Sequence, residues 1–430
     1  MKLLNFGGAT AILEHEGVRI FFDPWLDDGI FHGAWYHYPP LEVSLQDVGR
    51  VDYIYISHIH EDHCSAETIR YLNRDAEIIL MDRKPNLVAQ FLESNGFAFR
   101  DVHLIKPRSE KQLRPGLVAG MLEADPANEM ASVIDSALVM RWNGMTVYNA
   151  NDCQPYSGGI EYLRQTYGKV DLALLPYSGG SGYPSCYTNL TDEQKLSEKD
   201  RILRSRLDNF ATTVRQLDPR WVVPFADQYV VGGSRSHLNR FISHPACPGV
   251  VSERLKAEGL DDRLVLLNSG QSFDFERLAK SPDSPYRNHT EEDRDSYVKR
   301  SLRDKQYDHD RFQFSTAIAI ERLVDYARSR LWTAQQRKGY LPPASIYLDA
   351  VDARRRFRVS LDREKAAEVP WDEPLAQPYL RVSCGHTLMI MLLLGHVSWN
   401  IADAALFLDY ERVPNIYDPE MYVCLNLLKA

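Results

Sequence analysis

VDYIYISHIHEDHCS, residues 51–65, decides the reading of this chain. VDYIYISH is almost continuously apolar, as a strand buried on both faces is. It breaks off into His58, His60, Asp62 and His63, three imidazoles and a carboxylate in six positions. In a loop leaving a strand end, alternate side chains point the same way, so His58 and His60 converge on one ion. Asp62 and His63, one turn further into the following helix, converge on a second. Imidazole and carboxylate together suit zinc, iron or manganese. Histidines that merely packed a loop or capped a helix would not need this spacing.

A second carboxylate joins them. Asp152 ends the hairpin strand VYNAND about ninety residues after the motif. By itself an aspartate there is ordinarily an Asx turn or a helix cap. Beside HxHxDH it is placed to bridge two metals, fixing their separation and neutralising charge.

Around these residues, short β-rich runs alternate with amphipathic helical stretches from residue 1 to about 275. LLNFGGATAILEHEGVRIFFDP reads as a hairpin turning at Glu16-Gly17, and ALVMRWNGMTVYNAND as another turning at Asn143-Gly144. Helices are expected at about 65–73, 84–95 and 192–217, with KVDLALLP, RWVVPFAD and RLVLLNSG as strands. The alternation predicts an α/β fold with mixed sheets covered by helices. Residues 276–310 are polar, Pro-containing and charged, and read as a linker or a solvated extension. Residues 311–430 read as a smaller α+β domain, with a helix in IAIERLVDYARSRLWTAQQR and two strands in SIYLDAVDARRRFRVSLD.

Composition narrows the classes. The chain of 430 residues carries 50 basic and 59 acidic side chains, net −9, with 44% apolar residues. A nucleic-acid partner has no support from that balance, and a small-molecule partner is expected. There is no recognisable secretory signal, and the longest apolar run is far short of the ~20 residues needed to cross a bilayer, so no membrane association and a cytoplasmic location are expected. The six cysteines show no CxxC spacing, and the one CxH, Cys384-Gly385-His386, has no CxxH to complete it, against a zinc ribbon, an iron–sulfur cluster or a disulfide framework.

HxHxDH with a distal aspartate resembles the metallo-β-lactamase fold. FFDPWLDDGIFHGAWYHYPP, ISHIHEDHCS, NANDCQPYSGG, YSGGSGYPSCY and VVPFADQYVVGGSRSH, in that order over about the first 240 residues, resemble its CMP-N-acetylneuraminate hydroxylase-like branch. The tail from Pro378 to Tyr410 resembles that branch more weakly. The resemblance implies an αββα sandwich with metal at its edge, and in that family an iron-linked oxygenation of a nucleotide-activated sugar. The branch carries a Rieske domain for which no CxH paired with a CxxH is seen here, so a separate electron-transfer protein is expected as a partner.

The ligand set departs from the usual pattern. Fold relatives place another histidine between HxHxDH and the distal aspartate, where this chain offers Asp125, Asn128 and Glu129, with Asp135-Ser136 matching a polar pair of the branch. Asp227 stands where hydrolases often have a last histidine, and His237 matches a Ser-His of the branch. More carboxylates make a harder site, favouring iron or manganese over zinc and leaving room for one ion or two.

The glycine-rich YSGGSGYP could cradle an anionic group. His32 and His37 read equally as loop packing or substrate contacts. Arg354, Arg355, Arg356 and Arg358 read as a solvated strand face in preference to a phosphate-binding patch, and His386, His396 and Trp399 as core residues. The expected activity is hydroxylation of a polar, anionic, sugar-like or amino-acid-like molecule at iron. The alternatives are binuclear hydrolysis of an amide, ester or phosphodiester, and a degenerate binding module. A homodimer is a further possibility.

Overall fold

The computed structural model describes residues 1–128, 135–226, 229–315 and 318–430. Its centre is two sheets laid face to face. The first has eight strands, built from an antiparallel meander, Lys2–Gly7, Thr10–His15 and Val18–Phe22, continued by the parallel strands Tyr53–Tyr55, Glu77–Met81 and Asp101–Ile105. Ser272–Asp274 and Ala279–Ser281 extend its other edge. The second has six strands, Trp221–Phe225, Leu172–Pro176, Met145–Asn149, Ser136–Trp142, Leu117–Glu123 and Glu110–Arg114 in spatial order.

The alternation of side chains along each strand explains the layers. Tyr53, Tyr55 and Ile79 face Leu138, Met140, Val147 and Leu172 across the sheet-to-sheet core. Ile54, Ile78 and Leu80 turn outward and are covered by Ile69 of the helix Ala66–Tyr71 and by Val88 and Leu92 of Leu87–Ser94. On the far side, Val139, Tyr148, Ala173 and Leu175 are covered by Leu163 of Ser157–Tyr167 and by Phe210 and Val214 of Asp192–Leu217. The result is the expected helix–sheet–sheet–helix sandwich. Its helix ends are set locally: Ser65 accepts from the Thr68 amide, and Thr191 with Gln194 forms a capping box.

Residues 276–310 pack more closely than their composition predicts. Ala279–Ser281 joins the first sheet, Arg294 is 1% exposed, and Val298 and Leu302 lie against Tyr36 and Tyr38. The chain then forms a five-stranded sheet, Ala366–Val369, Arg355–Ser360, Ser345–Ala350, Tyr379–Cys384 and Asp409–Val413, with the helix Ile320–Lys338 on it. One apolar core runs from this sheet into the sandwich, joining Leu331, Leu348 and Leu392 to Trp25, Phe31, Trp35 and Leu238.

Two expectations need correction here. Arg356 is not on a solvated face: it makes a two-pronged ion pair with Asp349 at 2.7 Å, both side chains buried, under the ring of Trp371. His396 is exposed rather than in the core, because the helix His386–Leu393 ends before it, whereas His386 and Trp399 are buried. No helix among the described residues is long and apolar enough to cross a membrane.

Candidate metal centre

The strands Val18–Phe22 and Tyr53–Tyr55 run parallel and in register, Phe22 opposite Tyr55, so the residues after them leave the sheet side by side. Asp23 follows the first and Ser57-His58 the second. The Ser57 amide donates to Asp23 Oδ1 at 2.7 Å and its hydroxyl to Asp23 Oδ2 at 2.9 Å. The backbone then turns, with the His63 and Cys64 amides both bonded to the His60 carbonyl. Asp62 and His63 therefore lie in this turn, and the helix that was expected to carry them begins only at Ala66.

The hydrogen bonds fix which nitrogen of each imidazole is free, with protons assigned from partners. Ser57 spends its proton on Asp23, so at 2.9 Å from His58 Nδ1 it accepts, leaving the lone pair on His58 Nε2. His60 Nε2 lies 2.9 Å from Asn400 Oδ1, which can only accept, so the lone pair of His60 is on Nδ1. His63 Nδ1 donates to Asp23 Oδ2 at 3.0 Å, leaving Nε2 toward Asp62 and Asp152, each 3.3 Å away. The free nitrogens of His58 and His60 face each other at 2.9 Å. Two lone pairs held at that distance repel unless a cation lies at their focus.

Charge points the same way. His58 and His63 are each 1% exposed and Asp23 is fully buried. Burial, helped by the neighbouring His63 and His60, holds His58 well below the ordinary histidine range. Burial would lower His63 too, but Asp152, Asp62 and Asp23 together raise it well above that range. Burial and the nearby charge of Asp152 push Asp135 up to about 7. The lone pairs of His58 and His60 beside Asp23, Asp62 and Asp152 fit a divalent transition ion, which would take the place of the proton that these carboxylates hold on His63. The ligand atoms of His58, His63 and Asp152 lie within 4.8 Å of one another, with His60 and Asp62 in direct contact with that group.

Asp152 is placed by its neighbour. Asn151 adopts a left-handed turn, donates to the Ser136 carbonyl at 2.8 Å and accepts from the Asp152 amide at 2.7 Å. Beside the cluster is a cavity of about 30 Å³, lined by Trp25, Trp35, Asp62, His63, Asp152 and Tyr229 together with Gly179 and Gly180 of the glycine-rich loop. Trp35 and Tyr229 stack in parallel as one wall.

The other candidates fare differently. Asp125 accepts from the Ala127 amide at 2.9 Å, closing its own turn, and is outside the cluster. His237 is exposed, its ring turned to the Ser234 carbonyl within the short helix Gly233–Phe241, and it too is outside the cluster. Glu129 and Asp227 lie outside the described residues. His37 is buried, stacked on Trp25 and bonded to Asp28 at 2.9 Å, so it supports the cavity wall. Sequence reasoning missed Asp23 and Asn400. Asp23 had a faint signal, an acid immediately after a strand in FFDP. Asn400 had none, being 340 residues from the ring that it holds.

Comparison with known proteins finds similarities to this fold. A model of the beta-lactamase superfamily domain matches residues 18–223. A Mycobacterium tuberculosis protein bearing the name Rieske 2Fe-2S iron-sulfur protein is 28% identical over 284 residues, 64% of this chain and 54% of its own length. The cytidine monophosphate-N-acetylneuraminic acid hydroxylase of Sus scrofa is 27% identical over 282 residues, 61% of this chain and 60% of its own. The chain thus spans little more than half the length of these curated relatives. Among solved structures, an isothiocyanate hydrolase from Delia radicum gut bacteria superposes with a TM-score of 0.45 at 18% identity, covering 64% of this chain and 99% of its own. The diiron β-hydroxylase CmlA of Streptomyces venezuelae gives 0.44 at 19% identity, covering 64% and 54%. Over residues 18–223 the chain is thus similar to the beta-lactamase superfamily domain, and the two-sheet layered topology agrees with that match.

Proposed function

We propose that the chain is a metal-dependent oxygenase that hydroxylates a polar, anionic small molecule, with His58, His60, Asp62, His63 and Asp152 holding iron. The observation that carries the metal is the convergence of the His58 and His60 lone pairs and of His63 Nε2, each set by a hydrogen bond on the opposite nitrogen, beside Asp62 and Asp152. Support for oxygenation over hydrolysis is the likeness to proteins whose names are those of a hydroxylase and of Rieske proteins. Iron, when bound, supplies dioxygen activation, with electrons from an outside donor.

The chain's own residues do the rest. Asp23 and Ser57 orient two rings, Asn400 orients the third, and the stacked Trp35 and Tyr229 restrict water beside the cluster. A preorganised ligand sphere of this kind leaves the redox chemistry to the ion.

A hydrolytic reading has one observation of its own. His58 with His60, and Asp62 with His63 and Asp152, form two adjacent donor groups, an arrangement suited to two ions that activate one water. Elemental analysis of protein expressed with balanced iron and zinc, joined to electron paramagnetic resonance before and after reduction, separates the two. Iron with a reduction-dependent signal is expected. Stoichiometric redox-silent zinc, with turnover of a generic phosphodiester, would replace the oxygenase by the hydrolase.

A further inference from the structure

Arg206 lies on the helix Asp192–Leu217, one turn before the buried Phe210. Its side chain is half-buried, and among the described residues no hydrogen bond or ion pair reaches its guanidinium. It rests against the glycine-rich loop: a Cβ on Gly179 would lie 3.6 Å from Arg206 Nη2. Gly179 also lines the cavity beside His63 and Asp152. The neighbouring Ser178 hydroxyl is buried and likewise has no partner among the described residues.

Burial pulls the pKa of Arg206 down, and the one charge that opposes this is Asp152, which is too far away for an ion pair. Asp152 is also committed to the metal cluster, where a bound cation would absorb its charge. A cation withdrawn from water is normally paired, and here no pair is found among the described residues. The planar fork of arginine matches carboxylate and phosphate oxygens in twos.

We propose that Arg206, together with the Ser178–Gly180 turn, is the docking point for an oxyanion of the substrate, a carboxylate or a phosphate, held beside the metal so that the neighbouring carbon faces the cavity. This deepens the oxygenase reading and rests on it only for the metal. The glycines matter because a Cβ at Gly179 would stand 3.6 Å from the guanidinium, and one at Gly180 would meet Tyr229 Oη at 2.8 Å and Trp35 at 3.3 Å.

The test uses the full chain, with and without metal, titrated calorimetrically with inorganic phosphate and separately with malonate. Metal-loaded wild type is expected to bind one of the two, which identifies the anion class. Arg206→Gln should weaken that binding at least tenfold with metal content unchanged, and Arg206→Lys should recover part of it. Equal affinity in wild type and Arg206→Gln, or no binding of either anion to wild type, overturns the proposal. The metal reading fails separately: if no metal binds but phosphate or malonate affinity still depends on Arg206, the anion site stands and the oxygenase does not.

Discussion

His60 is the most exposed to test of the clustered side chains, since it meets His58 on one nitrogen and Asn400 on the other. His60→Ala is expected to abolish metal retention in gel-filtered protein, and elemental analysis checks it. Asn400→Ala removes only the outer hydrogen bond, so about a 10–100-fold loss of metal affinity is expected, the usual cost of losing such a support. Competition against a chromophoric chelator measures it, with an unchanged thermal midpoint showing that the fold survives. The grouping of the HxHxDH side chains was legible because it is local in sequence, a strand and then ligand-type residues at alternating positions, whereas Asp152 comes from a second strand end about ninety residues on. Asp125 and His237 were proposed from their order along the chain, and that order does not encode the turns that direct Asp125 to Ala127 and His237 to Ser234.

At the scale of elements, the sandwich was readable because strand and helix periods differ and the caps are explicit. The helix Asp192–Leu217 is announced by Thr191 and Gln194, and it spans the expected residues. The segment after residue 276 was read too polar, because Arg294 buries a guanidinium by bonding it to Glu291 and to the Asn239 carbonyl, a solution invisible in composition. The glycine-rich loop makes a sharper prediction. Its Gly182 amide faces the Asp403 carboxylate at 3.3 Å, and a Cβ at Gly182 would collide with that carboxylate. Gly182→Ala should destabilise the protein by about 1–3 kcal/mol, the range for overpacking a close contact, as read by urea unfolding.

For the whole molecule, the decisive fact is that the core is continuous across what composition divides into domains. Trp35 donates its indole proton to the Ala404 carbonyl at 2.9 Å, and Arg235 bonds the carbonyls of Leu406 and Leu408. A chain ending at residue 310 would uncover Phe31, Trp35 and Leu238, and is expected to aggregate and to retain no metal. A monodisperse, metal-loaded fragment in light scattering would contradict this. Inside the C-terminal sheet, Asp349→Ala strands the Arg356 guanidinium and should cost about 3–5 kcal/mol in denaturant titrations, as for other broken buried pairs.

The bond between His60 and Asn400 also orders events in time. During synthesis the ring leaves the ribosome hundreds of residues before the amide that orients it, so the geometry of His60 is complete only after the C-terminal segment has folded back onto the sandwich. A product cut just before Asn400 would then hold an ion more weakly than the full chain does.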